Sequence, residues 1–142
     1  MQGLRLYKNE KLCSRTAVNT LFSKGNGTVA YPLRAVYRMH ESGEAPAQFL
    51  ITSPKKRIRH AVNRVLLRRR VREAFRLHRR QLLHPALANA NTSMDIAFVY
   101  VADEILSYQV IEEKMKVLLT RMAKATTHNH NSEPASTTTL AQ

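Results

Sequence analysis

Cysteine is nearly absent from this chain: Cys13 is the single one among 142 residues, so no intramolecular disulfide can form. A reducing, intracellular setting is therefore expected, with Cys13 a buried or idle thiol. No apolar run approaches the roughly 20 residues that span a bilayer. The opening Met1-Gln-Gly-Leu-Arg-Leu-Tyr-Lys8 lacks the apolar core of a signal peptide. A cytoplasmic protein with no membrane association is expected. Catalytic motifs are missing too, with no Gly-rich phosphate loop, HExxH, CxxC or GxSxG. Asp103-Glu104 and Glu112-Glu113 are sequence neighbours that diverge on a helix, so they form no carboxylate pair. His128-Asn-His130 sits in a polar tail and reads as composition rather than a metal site. Nothing in the polypeptide alone is placed to cut a bond, and no metal or cofactor is expected on the protein by itself.

Acids are scarce where bases are dense. Between Lys55 and Arg80 there are twelve Lys and Arg but one acid, Glu73, which puts a formal +11 of the chain's +13 in one window. A field so concentrated calls for a polyanion, and RNA or DNA fits best. The apolar fraction of 44% is that of an ordinary globular protein, so the charge rides on a fold. The length suits one domain with a real core.

Periodicity organises that domain. Residues 1–13 read as an extended lead-in. Ser14 can cap a helix over about 15–24 with Ala17, Val18, Leu21 and Phe22 as its apolar stripe. Gly25-Asn-Gly27 is expected to end it through a left-handed glycine. Val29 to His40 is β-prone, with Pro32 near its start, and a short extra strand fits around 27–30. A turn at 41–46 then leads to a strand from Gln48 to Ser53, and the two main strands are expected to pair as a hairpin. A long helix follows over about 60–83, then a loop at 85–93. Met94 to Ala102 reads as a strand buried on both faces. Ser107 can cap a last helix whose buried face is Ile111, Met115, Leu118, Leu119 and Met122. The order is α-β-β(-β)-α-β-α, an α/β (α+β) sandwich with a mixed sheet of about four strands. Residues 1–125 are expected to form the RNA-binding domain and 126–142 a disordered tail.

On the long helix, Leu67, Val71, Ala74 and Phe75 fall on one core-facing stripe. Arg68, Arg72, Arg76 and Arg79 run down an adjacent strip, with Arg69 and Arg80 beside them. Like charges at these spacings weaken an isolated helix by about 0.2–0.5 kcal/mol per pair, and Glu73 alone can offset them. Lys55, Lys56, Arg57 and Arg59 oppose the helix dipole at its start. Bound phosphate relieves both costs. A solvated face usually mixes signs, and a membrane-surface helix carries large aromatics opposite the bases; this one does neither. His60 and His78 lie within the basic region, suited to ion pairing or phosphate contact.

These residues resemble the protein subunit of bacterial ribonuclease P. That family ends its first helix in Phe-x-x-Gly, as Phe22-Ser-Lys-Gly25 does here. Its basic helix usually reads Ala-Val-x-Arg-Asn-Arg-x-Lys-Arg-x-Ile-Arg-Glu-Ala-Phe-Arg, against Ala61-Val-Asn-Arg-Val-Leu-Leu-Arg-Arg-Arg-Val-Arg-Glu-Ala-Phe-Arg76. The likeness extends through Met94–Val101 to the closing helix, over about residues 4–124. Two departures stand out. The family's Arg-Asn-Arg is Arg64-Val65-Leu66, and the turn Lys55–His60 is longer, with Arg57 and Arg59 added. Arg64, Arg68, Arg69, Arg72 and Arg76 match the pattern, and Arg70 with the turn can restore the charge lost at Val65 and Leu66.

The resemblance implies a sandwich with a left-handed βαβ crossover. It implies that the basic turn and helix lie against a catalytic RNA, which carries out Mg²⁺-dependent hydrolysis. A separate cleft is implied for the single-stranded 5′ leader of precursor tRNA, where aromatics with basic flanks can stack on any sequence. Phe22, Tyr37 and Val18 match cleft positions, with the core as the alternative place for Phe22 and Tyr37. The expected partners are the catalytic RNA and precursor tRNA, with the protein monomeric in the holoenzyme. A stand-alone or ribosomal-type RNA-binding protein is the competing reading.

Overall fold

The computed structural model describes residues 10–12, 14–41 and 47–141, with side chains through Thr126. Helix α1 (Arg15–Lys24) leads into strands β1 (Asn26–Ala30), β2 (Leu33–Glu41) and β3 (Ala47–Thr52). Helices α2 (Ala61–Leu82) and α3 (His84–Ala90), strand β4 (Thr92–Tyr100) and helix α4 (Tyr108–Ala141) complete the order. The helical assignment of α4 thus continues into the stretch read from sequence as a tail. Cys13, the lead-in at 1–9, the turn at 42–46 and the side chains of His128 and His130 lie outside the described residues. Among the described residues no helix is long and apolar enough to cross a membrane.

The strands form one mixed sheet in the order β1-β2-β4-β3, with β1–β2 and β2–β4 antiparallel and β3–β4 parallel. This corrects the expected hairpin: β2 and β3 are not neighbours, because β4 lies between them. The hairpin is β1–β2, and Pro32 sits in its turn rather than in a strand. A parallel β3–β4 pair needs a long crossover, which α2 and α3 supply. Residues 84–90 are therefore helix α3, not the loop expected there; Pro85 stands in its first turn and Asn91 ends it in the left-handed conformation, φ 52°.

Central placement explains β4. Met94, Ile96, Phe98 and Tyr100 point into the larger core, beneath α2, α3 and α4, while Ala97 points to α1. Phe75 of α2 packs between Phe49 and Phe98, with ring centroids 4.6 and 5.3 Å apart, spacings at which tilted aromatic pairs attract. The predicted stripes hold: Leu67, Val71, Ala74 and Phe75 of α2 are buried, as are Ile111, Met115, Leu118, Leu119 and Met122 of α4. On the other face of the sheet α1 closes a small cluster of Leu12, Leu21, Val36 and Ala97. Ser14 Oγ accepts from Ala17 N at 3.2 Å and Ser107 Oγ from Val110 N at 3.4 Å, so both expected caps form.

Gly25 ends α1 for a reason other than a left-handed turn, since its φ is −75°. A Cβ there would lie 2.4 Å from the Leu21 carbonyl oxygen and 2.9 Å from Val36 Cγ1. The glycine permits close approach of α1 to β2. Gly27 has no such crowding; its nearest neighbour would be the Arg34 guanidinium at 3.7 Å. Gly25→Ala is thus expected to cost about 1–3 kcal/mol in urea unfolding, as overpacking does. Gly27→Ala should stay within about 0.5 kcal/mol of the parent.

Candidate nucleic-acid interface

One face of α2 is fixed by its buried stripe, and that orientation decides which bases reach solvent. Arg69, Arg72 and Arg80 are exposed and Arg64, Arg68, Arg70 and Arg76 half-buried. Arg79 departs from the expected strip. It is fully buried, and its guanidinium donates to Glu10 at 2.7 and 3.1 Å and to the Arg76 carbonyl at 2.7 Å. One turn beyond Phe75, the helix has rotated this position inward, where a carboxylate from the chain before α1 satisfies it. Arg79 is a structural tie.

The other arginines divide by what they hold. Arg64 donates to the carbonyls of Ile58 and Arg59 at 2.9 and 2.8 Å, folding the basic turn back on the helix. Arg70 donates to Leu106 O at 2.7 Å. Arg76 grips Glu73 with two hydrogen bonds, 3.0 and 2.6 Å, and this pairing holds the Glu73 carboxyl below the usual carboxylate range. Arg57 reaches Asp103 at 3.3 Å across an exposed gap, a pair of small energetic worth. Lys55, Lys56 and Arg59 are exposed. His60 precedes the helix without a side-chain cap, and no acid stands in the first turn. The amide donors of that turn and the surrounding cations therefore offer an anion one site. His78 instead pairs with Glu112 at 2.8 Å.

The three candidate leader residues are not brought together. Val18 and Phe22 lie on α1; Val18 packs against the small cluster and Phe22 is 47% exposed. Tyr37 packs on the larger core, on the opposite face of the sheet. The alternation of β2 explains the split: Leu33, Ala35, Tyr37 and Met39 point one way, and Arg34, Val36, Arg38 and His40 the other. The α1 side of the sheet thus carries a row that sequence reasoning passed over, Arg34, Arg38 and His40. The polar–apolar alternation from 33 to 40 was the signal. His40 is tied in place, Nε2 to Asp95 at 3.0 Å and Nδ1 to the Glu41 carbonyl at 2.8 Å. Among the described residues no group of three or more His, Cys, Asp or Glu gathers as a metal site.

A folded cationic helix, continuous with a basic turn and set beside a mixed four-stranded sheet, matches known proteins. The ribonuclease P family profile matches residues 6–123. The chain belongs to the ribonuclease P protein family. Ribonuclease P protein components from two strains of Porphyromonas gingivalis are each 40% identical over 119 residues, covering 83% of this chain and 86% of theirs. The RNase P protein of Thermotoga maritima superposes with a TM-score of 0.62 at 22% identity, over 79% of this chain and 96% of that one. That of Staphylococcus aureus gives 0.60 at 16%, over 79% and 94%. As a ribonuclease P protein the chain is a subunit of a ribonucleoprotein endoribonuclease of tRNA processing, and its partner is an RNA subunit.

The two kinds of arginine separate experimentally. Arg79→Ala removes a fully buried guanidinium and its two hydrogen bonds to the Glu10 carboxylate, and is expected to cost about 3–5 kcal/mol of folding stability. Arg68→Ala or Arg72→Ala should leave thermal unfolding nearly unchanged. Each should weaken RNA binding and lower the slope of log K against log salt by about one.

His84 sets a pH limit. Its Nε2 is buried and has no hydrogen-bond partner among the described residues, and burial first, then the Arg79 charge, lowers its pKa to about 4 from the ordinary 6.5. Between those values the unfolded chain binds the proton and the folded one does not, so this contribution to stability falls as pH drops from about 6.5 toward 4. Acid unfolding curves of His84→Phe should lose that part of the pH dependence.

Proposed function

We propose that α2 and the Lys55–His60 turn clamp the catalytic RNA, while the α1 face of the sheet guides the 5′ leader of precursor tRNA. The observation that carries this is the orientation of α2. Its apolar stripe is locked into the core, so Arg68, Arg69 and Arg72 are held outward with Glu73 already occupied by Arg76. Phosphates are the partners that such a strip lacks. On the other side, a half-exposed Phe22 and the Arg34–Arg38 row provide the aromatic and the cations that a single strand of any sequence requires. Tyr37, on the far face, takes no part in that groove.

Chemistry belongs to the RNA in this reading. Mg²⁺ is bound and used there, and the protein lowers the Mg²⁺ requirement by supplying fixed cations. The protein is cytoplasmic and monomeric within the holoenzyme. Adding it to catalytic RNA and precursor tRNA at low Mg²⁺ should stimulate 5′ cleavage, while protein freed of RNA should cleave nothing. RNA binding without stimulation would point instead to a stand-alone RNA-binding protein.

Phe22 separates the two RNA contacts. Its loss in Phe22→Ala should cost about 1–3 kcal/mol of affinity for precursor tRNA, the worth of one base–aromatic stack. Affinity for mature tRNA and for the catalytic RNA should hold, as should the melting temperature. Holoenzyme binding to substrates with leaders of graded length is the measurement. Equal loss on every leader, or on mature tRNA, sinks the assignment.

A further inference from the structure

A second aromatic is exposed at the end of the sheet where the basic turn lies. Tyr31 is 56% exposed, in the turn between β1 and β2. That turn is braced on both sides. Val101 N donates to Pro32 O at 2.8 Å, and the Arg121 guanidinium of α4 donates to Thr28 Oγ1 at 3.2 Å and to the Val29 carbonyl at 2.6 Å. A large ring held out by a rigid turn loses little conformational freedom when something stacks on it.

The Tyr100 hydroxyl locates its neighbours. It donates to Glu104 O at 2.7 Å and accepts from Leu106 N at 3.0 Å, so the loop after β4 wraps around it. Tyr31 precedes Pro32, whose carbonyl accepts from Val101 N next to Tyr100 in the chain. Ile105, 42% exposed, sits between the two residues it anchors, and Arg70 ties the same loop to α2 through Leu106 O. The Arg57–Asp103 contact brings the basic turn to this loop as well. An aromatic and an aliphatic side chain are therefore exposed together at the end of the molecule that holds the Lys55–His60 turn.

We propose that Tyr31, at the end of the sheet where the loop carrying Ile105 is tied to Arg70, is a stacking site for an unpaired nucleobase of the catalytic RNA. Charge chooses the occupant: an apolar surface joined to a window of net +11 suits a polyanion with flat apolar faces. Position chooses the source. Tyr31 lies in a turn tied to α4 through Arg121 and to the end of β4 through Val101, and the loop after β4 joins the turn assigned to the catalytic RNA through Arg57 and Asp103. The inference rests on that assignment.

The test uses full-length protein and catalytic RNA. Tyr31→Ala should weaken binding about 5- to 140-fold, the equivalent of one stack. The salt slope and melting temperature should not move, because no charge and no core contact is lost. Tyr31→Phe should bind as the parent does. The chain has no tryptophan, so Tyr31→Trp introduces a single reporter. Its emission should be quenched on saturation with catalytic RNA and unaffected by precursor tRNA alone. Parental affinity in Tyr31→Ala, or an unquenched tryptophan in the saturated complex, overturns the proposal. If Tyr31→Ala folds poorly, the tryptophan experiment decides alone. Failure of the parent protein to bind catalytic RNA overturns the functional reading itself, whereas parental binding with an indifferent Tyr31 overturns this inference only.

Discussion

The aromatic contact of Phe75 with Phe49 and Phe98 is what allows α2 to carry its charge. Left to itself, a helix with Arg68, Arg69, Arg72 and Arg76 on neighbouring positions, and cations rather than acids at its start, is poorly stable. Burial of Leu67, Val71, Ala74 and Phe75 contributes about 1.5–3 kcal/mol for each large side chain, more than the repulsion removes. The helix stays folded, and the repulsion becomes a standing preference for phosphate. Sheet order depends on the same contact. Phe49 of β3 and Phe98 of β4 are brought to the same face of adjacent strands, two residues apart in register, by the parallel pairing that the α2–α3 crossover makes possible.

Arg79 shows how narrow the margin between binding and structure is on such a helix. By spacing alone it continues the strip of Arg68, Arg72 and Arg76. The fold buries it against Glu10, where the pair's geometry, two hydrogen bonds to the carboxylate and a third to a backbone carbonyl, compensates the desolvation. Glu10 comes from the chain before α1, so this pair also ties that segment to the helical layer. A residue of the same type a few positions earlier faces solvent, and only the packing distinguishes them.

Local order was largely legible: the caps at Ser14 and Ser107, the buried stripes of α2 and α4, and the doubly buried β4 all follow from short-range pattern. What was not legible depends on distant partners. Nothing within residues 29–53 shows that β4, some forty residues later, will insert between β2 and β3, so a hairpin was the natural local reading. Arg79 needed Glu10, 69 positions away. Tyr37 is different, because its place was written in the alternation of β2. Counting by two from Leu33 puts it with Ala35 and Met39, on the core side that was the alternative to the cleft position implied by the family likeness.

The departure from the family's Arg-Asn-Arg can now be weighed on geometry. Val65 is 43% exposed and Leu66 half-buried, so the substituted positions reach the helix surface without strengthening the core. The extra charges nearby do not all compensate. Arg57 is shared with Asp103, and Arg70 is committed to the Leu106 carbonyl. The cations that stay outward at this end of α2 are Lys55, Lys56, Arg59 and Arg69. The outward positive charge at this end of the helix is therefore gathered on the turn before it. There the uncapped amides of the first turn add their own positive end, beside the exposed apolar side chains of Val62 and Val65.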